Sequence, residues 1–131
     1  MFGARAQRLE VHGPNGIQQT LRIGDGSDPQ VTIGPLTAPQ GVEKAKAHIE
    51  DAVSKGAKVL LGGKPISGKG NFFEPTVIAD TTPDVLLHNE EVFAPVAALY
   101  PFDSEEEAIK MANNLEVGLA SCVCTIDIRR M

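Results

Sequence analysis

Between Thr37 and Leu61 the chain changes structural period within a few residues. Val42, Ala45, Ile49, Ala52 and Val53 recur at helical spacing, Gly56 offers a C-terminal stop, and Lys58-Val59-Leu60-Leu61 is a short apolar run that ends in Gly62-Gly63. A helix that hands over directly to a strand fits neither an all-helical bundle nor an all-β sandwich. Thr37 with Gln40 three residues on has the form of a capping box, and Pro39 suits a first helical turn. The succession recurs downstream. Residues 96–100 read as a buried strand, and Ser104 with Glu107 forms a second capping box. Glu105 and Glu106 favour the positive end of that helix, and Ala108, Met111, Ala112 and Leu115 line one face up to Gly118. An apolar strand over 119–125 closes the series. This alternation makes the fold class α/β.

The intervening segments punctuate the frame. Residues 1–20 lack sustained periodicity and carry a Gly13-Pro14-Asn15-Gly16 turn, so they read as an N-terminal arm outside the domain of residues 21–131. Residues 24–29 form a surface loop, because glycine and proline alternate there with turn-forming acids. Phe72-Phe73 and Thr76-Val77-Ile78 form an extended segment interrupted by Pro75, which argues for an edge strand or a bulge. Residues 83–89 read as a helical turn or short helix. Asp127 is placed to cap a helix with only four residues after it, so further sequence is expected downstream.

At 131 residues the chain can bury one core but not separate cofactor and substrate domains. Twelve basic against 17 acidic residues give a net charge of −5 with no basic cluster, which argues against nucleic acid as a partner. No apolar run approaches the roughly 20 residues that span a bilayer, so no membrane association is expected. Arg5, Arg8 and Arg22 against the single acid Glu10 leave an organellar address open, and cytoplasm or mitochondrial matrix is the expected compartment. Cys122 and Cys124 are too close in sequence for an ordinary structural disulfide.

Three local patterns have chemical potential. Gly63 to Gly70 matches a phosphate-binding loop except at its last position, where Gly70 replaces the hydroxyl residue that holds magnesium; a glycine-rich connection between strands is the favoured reading. Cys122 and Cys124 share one strand face but have no further ligands nearby, and His12, His48 and His88 are scattered, so no metal site is expected and His48 reads as a solvated helix residue. Neither cysteine has a neighbouring base that would make it a nucleophile. The third pattern is Glu90-Glu91-Val92-Phe93-Ala94-Pro95 between a helical turn and a strand. Its carboxylates can accept a ribose diol and its phenyl ring can press on a nicotinamide; an ordinary solvated loop is the alternative.

The order of the segments decides between these. Leu-Arg-Ile-Gly-Asp-Gly at 21–26, Ile-Gly-Pro-Leu at 33–36 and the run from His48 to Lys64 resemble the aldehyde dehydrogenase superfamily. So do Asn-Phe-Phe-Glu-Pro-Thr-Val at 71–77, Glu-Glu-Val-Phe-Ala-Pro-Val at 90–96, the helix at 106–113 and Gly-Leu-Ala at 118–120. The Asn-Phe-Phe-Glu-Pro-Thr phrase and the Asp-Ala-Val-Ser-Lys-Gly-Ala helix end look most like the succinate-semialdehyde branch.

The resemblance implies part of an α/β catalytic domain over residues 21–131. In that family a cysteine thiolate attacks the aldehyde, backbone and asparagine donors stabilise the oxyanion, hydride passes to NAD or NADP, and a glutamate activates water to release the acid. It maps Glu91 onto the carboxylate that holds the nicotinamide ribose and Phe93 onto the aromatic beside the nicotinamide. Ala94 stands where the family usually has glycine, so a need for positive φ or close approach there would strain the loop and weaken cofactor binding. The family's nucleophilic cysteine, general-base glutamate and oxyanion asparagine are expected upstream of this stretch, so no catalytic residue is assigned within it and the isolated chain is expected to be inactive. A small-molecule aldehyde is the implied substrate of the complete enzyme. Homo-oligomerisation, or association with a full-length homologue as a non-catalytic interaction module, is the second expectation.

Overall fold

Helix α1 spans Pro39–Ser54, in a computed structural model that describes residues 21–115 together with Gly118, Ala120, Cys122 and Asp127. The arm at residues 1–20 lies outside the described residues, as does the strand expected over 119–125 apart from Ala120 and Cys122. Pro39 takes the first turn of α1 as expected, but the capping box is not formed. Ala38 is the N-cap, in extended conformation at φ −150° and ψ 157°, and no side chain caps the helix. A helix that starts at Pro39 leaves Thr37 one residue outside the position from which its hydroxyl could reach the free amides.

The other end follows the sequence closely. Gly56 has φ +95°, its N–H donates to the Val53 carbonyl at 3.0 Å, and the Ala57 N–H donates to the Ala52 carbonyl at 3.0 Å. This paired arrangement is a Schellman motif, which needs a residue free to adopt positive φ directly after the C-cap. Buried Ala52 and Ala57 supply its apolar contact.

Strands β1 (Lys58–Leu61), β2 (Thr76–Ala79) and β3 (Val96–Ala98) form one sheet in that order. β1 and β2 are antiparallel, with Lys58 opposite Ala79 and Val59 opposite Ile78; β2 and β3 are parallel, with Thr76 opposite Val96 and Ile78 opposite Ala98. The expectation that Pro75 marks an edge or a bulge is corrected. β2 is the central strand, and Pro75 directly precedes it, where the missing N–H removes no ladder bond because pairing begins with Thr76 N–H donating to the Pro95 carbonyl at 2.8 Å. The irregularity lies instead in β1, where the register shifts between Val59 and Leu61.

Residues 63–74 make a glycine-rich excursion from β1 back to β2. Ile66 N–H donates to the Phe72 carbonyl and Glu74 N–H to the Lys64 carbonyl, both at 3.0 Å, and Pro65 bridges Phe73. No helix follows Lys69, so the amides that a phosphate-binding loop requires do not converge there.

The core is Ala45, Ile49, Ala52, Ala57, Phe73, Ile78 and Val85, which joins one face of α1 to the central strand and to the phenylalanine before it. Val53, expected on that face, is 47% exposed, so the buried stripe is narrower than the periodicity suggested. His48 is the reverse: it is buried rather than solvated, at 2% exposure. It sits three residues after Ala45 and four before Ala52, on the stripe itself, and its charged sequence neighbours lie round the helix from it.

A short helix α2, Leu86–Asn89, falls within the expected turn at 83–89. α3 spans Glu105–Ala112, with the Ser104 side chain accepting from Glu107 N–H at 3.1 Å and Glu107 Oε2 accepting from Asp103 N–H at 2.9 Å. It ends at Ala112 with Asn113 as the C-cap rather than at Gly118, and none of its residues is buried. Ala108, Met111 and Ala112 border a cleft together with Leu60, Ala79 and Ala98 of the sheet.

Candidate functional site

Four side chains along α1 are spaced 4, 3 and 4 residues apart, which puts Lys44, His48, Asp51 and Lys55 in one row along the helix. All four reach toward the segment 84–90. Lys55 Nζ donates to the Asp84 carbonyl at 2.6 Å and lies 2.9 Å from Asp51 Oδ1. Asp51 Oδ2 accepts from the Leu86 N–H at 2.8 Å, at the first turn of α2. The N-cap residue of that helix is Val85, which has no side-chain acceptor, so α1 supplies from outside the cap that α2 lacks. At the opposite end of α2, His48 Nε2 lies 3.2 Å from Glu90 Oε2, and Lys44 Nζ lies 3.5 Å from the same oxygen.

This row was missed in the sequence. Its signal was present as a polar stripe at helical spacing, but Lys and Asp at such spacing usually face water. Its electrostatics are visible at Asp51, whose carboxyl is held below the usual carboxylate range by the hydrogen bond from Lys55 and then by the Leu86 N–H, against a smaller opposing effect of burial. Because the folded value is depressed, the stabilisation is present above the unfolded value near 3.8 and is lost as pH falls through the lower folded value. Asp51→Asn is therefore expected to lower Tm at neutral pH, with the gap to the parent narrowing as pH is taken below 3.8. Thermal melts followed by circular dichroism from pH 7 downward check this; a gap of constant size would show that carboxylate charge is not what holds α2.

The loop that leaves α2 carries both residues expected to contact a cofactor. Glu90 is the C-cap, extended at φ −122° and ψ 135°. Glu91 follows, exposed, and then two tight three-residue turns: Ala94 N–H donates to the Val92 carbonyl at 2.9 Å, and Val96 N–H to the Ala94 carbonyl at 2.8 Å. Phe93 is the central residue of the first turn, and its ring is 83% exposed. Pro95, central in the second, has the fixed φ that such a turn uses. Ala94 does not adopt positive φ, since the one non-glycine residue with positive φ among the described residues is Asp80. The loop is thus fixed at its far end by the β2 backbone through the Pro95 carbonyl and at its near end by the Glu90 side chain.

Glu90 and Glu91 border an open cleft together with His88, Tyr100, Asn113 and Asn114. The rings of His88 and Tyr100 meet edge to face at 5.3 Å, and burial pushes the Tyr100 phenol above its ordinary value. Other sequence candidates are not drawn into this region. Cys122 is exposed and free, Cys124 and His12 lie outside the described residues, and no group of three His, Cys, Asp or Glu that could hold a metal occurs among the described residues. No helix among them is long and apolar enough to cross a membrane.

An acceptor-only carboxylate and a water-facing phenyl ring two residues apart, on a backbone fixed at two ends, are the groups that a ligand with a diol and a flat ring needs. The acceptor at Glu91 and the apolar ring at Phe93 are therefore compatible with the ribose and nicotinamide of a dinucleotide.

Residues 16–131 match the model of the aldehyde dehydrogenase family. A Schizosaccharomyces pombe protein named succinate-semialdehyde dehydrogenase (NADP+) 2 is 49% identical over 114 residues, which cover 86% of this chain and 23% of that protein. Glutarate-semialdehyde dehydrogenase of Pseudomonas putida is 49% identical over 111 residues, covering 85% and 23%. The crystal structure of a Mycobacterium tuberculosis aldehyde dehydrogenase complexed with NAD+ superposes with a TM-score of 0.78 at 37% identity, covering 86% of this chain and 24% of that one. The chain thus spans under a quarter of the length of these relatives.

Proposed function

The chain belongs to the aldehyde dehydrogenase family, and on that premise we propose that residues 21–131 form part of the catalytic domain of an NAD- or NADP-dependent enzyme that oxidises an aldehyde to the acid, with succinate semialdehyde as the substrate. In this reading Glu91 accepts the hydroxyls of the nicotinamide ribose and Phe93 presses against the nicotinamide ring. The bound dinucleotide supplies the hydride acceptor. What this chain contributes is orientation: a carboxylate that sets where the ribose sits, and an apolar face that excludes water from one side of the ring.

The observation that carries the assignment is Phe93, 83% exposed on a loop held at both ends. Covering an exposed phenyl ring is worth on the order of 2 kcal/mol, and a fixed loop gives up little of that to ordering when a flat partner arrives. The shared family and the NAD+-complexed relative support the nature of that partner. In this reading the compartment is cytoplasm or mitochondrial matrix, and catalytic groups that residues 21–131 do not supply complete the enzyme.

Two measurements test the proposal on the purified chain. Succinate semialdehyde with NAD+ or NADP+ is expected to yield no reduced cofactor, and turnover above buffer would overturn the assignment of the catalytic groups elsewhere. In titrations with NADP+ followed by amide chemical shifts, Glu91→Gln is expected to weaken binding about tenfold, as the loss of charge-assisted hydrogen bonds implies. Unchanged affinity in that variant would remove Glu91 from the site.

A further inference from the structure

His48 is a buried polar side chain that the reading above does not use. It is 2% exposed, its Nδ1 has no hydrogen-bond partner, and its Nε2 faces Glu90 Oε2 at 3.2 Å. Burying an imidazole in a small apolar core is costly unless the contact it makes is worth keeping. That contact goes to the C-cap residue of α2, one residue before Glu91.

We propose that His48 is a positioning residue for the 90–96 loop: by donating from Nε2 to the Glu90 carboxylate, it sets the direction in which Glu91 and Phe93 leave α2. The inference rests on the cofactor assignment of those two residues. The loop has two anchors. At Pro95 and Val96 it is held by backbone pairing to β2, which any residue would supply. At Glu90 it is held by side chains, and there His48 and Lys44 compete for one oxygen. Lys44 is 46% exposed and 3.5 Å away on a flexible stem, so it can neutralise Glu90 without fixing it. His48 is 2% exposed on the buried stripe of α1 that also carries Ala45 and Ala52, and a donor confined in this way transmits a direction. Because Asp51 and Lys55 in the same row hold the start of α2, both ends of that helix are referenced to α1, and His48 serves the end nearest the site.

The chemistry selects the variants. Glutamine places an N–H donor close to where imidazole Nε2 lies, whereas leucine fills similar volume with no donor. Glu90→Ala removes the acceptor at a half-exposed side chain and leaves the core intact, which guards against misfolding of the His48 variants. In His48→Leu and in Glu90→Ala, amide exchange at Ala94 and Val96 is expected to rise about tenfold, and NADP+ affinity to fall about tenfold, as for loss of one charge-assisted bond. His48→Gln is expected to stay within about threefold of the parent in both readouts, and the double variant His48→Leu/Glu90→Ala to be no worse than either single one. His48→Gln as damaging as His48→Leu would mean a packing role alone and overturn the proposal, as would parental exchange in Glu90→Ala. Failure of the cofactor reading looks different: Glu91→Gln would bind NADP+ like the parent while the exchange effects of His48→Leu and Glu90→Ala persisted.

Discussion

Gly62→Ala is expected to destabilise the fold by about 2–5 kcal/mol, because two penalties coincide at one position. Gly62 has φ +67°, in the left-handed region that costs alanine about 1–2 kcal/mol. A Cβ there would lie 2.2 Å from the Pro75 carbonyl oxygen and 2.9 Å from the Thr76 hydroxyl. Neither neighbour can step aside freely. Thr76 Oγ1 accepts from Gly63 N–H at 2.9 Å and donates to the Glu74 carbonyl at 2.7 Å, and Thr76 N–H begins the pairing with β3. The methyl group would push the central strand away from the end of β1. Gly56→Ala is the control, since Gly56 also has positive φ, +95°, but nothing within 4 Å of its Cβ direction. Urea unfolding of both variants separates the clash from the backbone conformation. Equal losses would show that the excursion after β1 relaxes and that the space at Gly62 is of no consequence for β2.

Phe73→Ala is expected to cost about 3–5 kcal/mol, a large part of the roughly 5–15 kcal/mol by which domains of this size are stable. Phe73 is 1% exposed and is the largest side chain in the core, against Ile78 and Val85 at 0%. It is tied in place by the bridge to Pro65, so the cavity left by truncation cannot readily collapse. Phe93→Ala, on a ring 83% exposed, is expected to change stability by less than about 0.5 kcal/mol. The two variants thus divide one residue type into a core role and a surface role. Similar midpoint shifts for both in chemical denaturation would contradict the placement of either ring.

These two phenylalanines mark how far the sequence could be read. Each follows an acidic or polar segment and precedes a proline by two residues, and local pattern treats them alike. Phe73 was legible as part of an extended apolar segment, and Phe93 as a ring able to press on a flat ligand, a reading that resemblance to a family then favoured over a solvated loop. The Gly56 stop, the Lys58–Leu61 strand and the Ser104 cap were legible because each depends on atoms within a few residues. Thr37 failed as a cap because the helix start is decided by a shift of one residue that local preference does not resolve. Pro75 was misplaced because its missing N–H tells only that no ladder bond is made at that residue, and a residue directly before a central strand satisfies this as well as an edge does.

The cofactor loop divides in the same way. Glu90-Glu91-Val92-Phe93-Ala94-Pro95 could be picked out as a carboxylate and an aromatic on a short connection, and its chemistry belongs to the residue types themselves. What meets its near end is 42 residues away in the chain, where His48 reaches Glu90 from a helix whose polar stripe does not say which neighbour it faces. By itself the sequence determined the α/β alternation, most local stops and caps, and the residue types offered to a ligand, since these follow from backbone preferences and side-chain chemistry over short range. The tertiary structure alone decided that β2 is central, that His48 is buried and that α1 grips both ends of α2. Such pairings depend on which distant surfaces meet, and a polar stripe at helical spacing reads the same whether it faces water or a neighbouring helix.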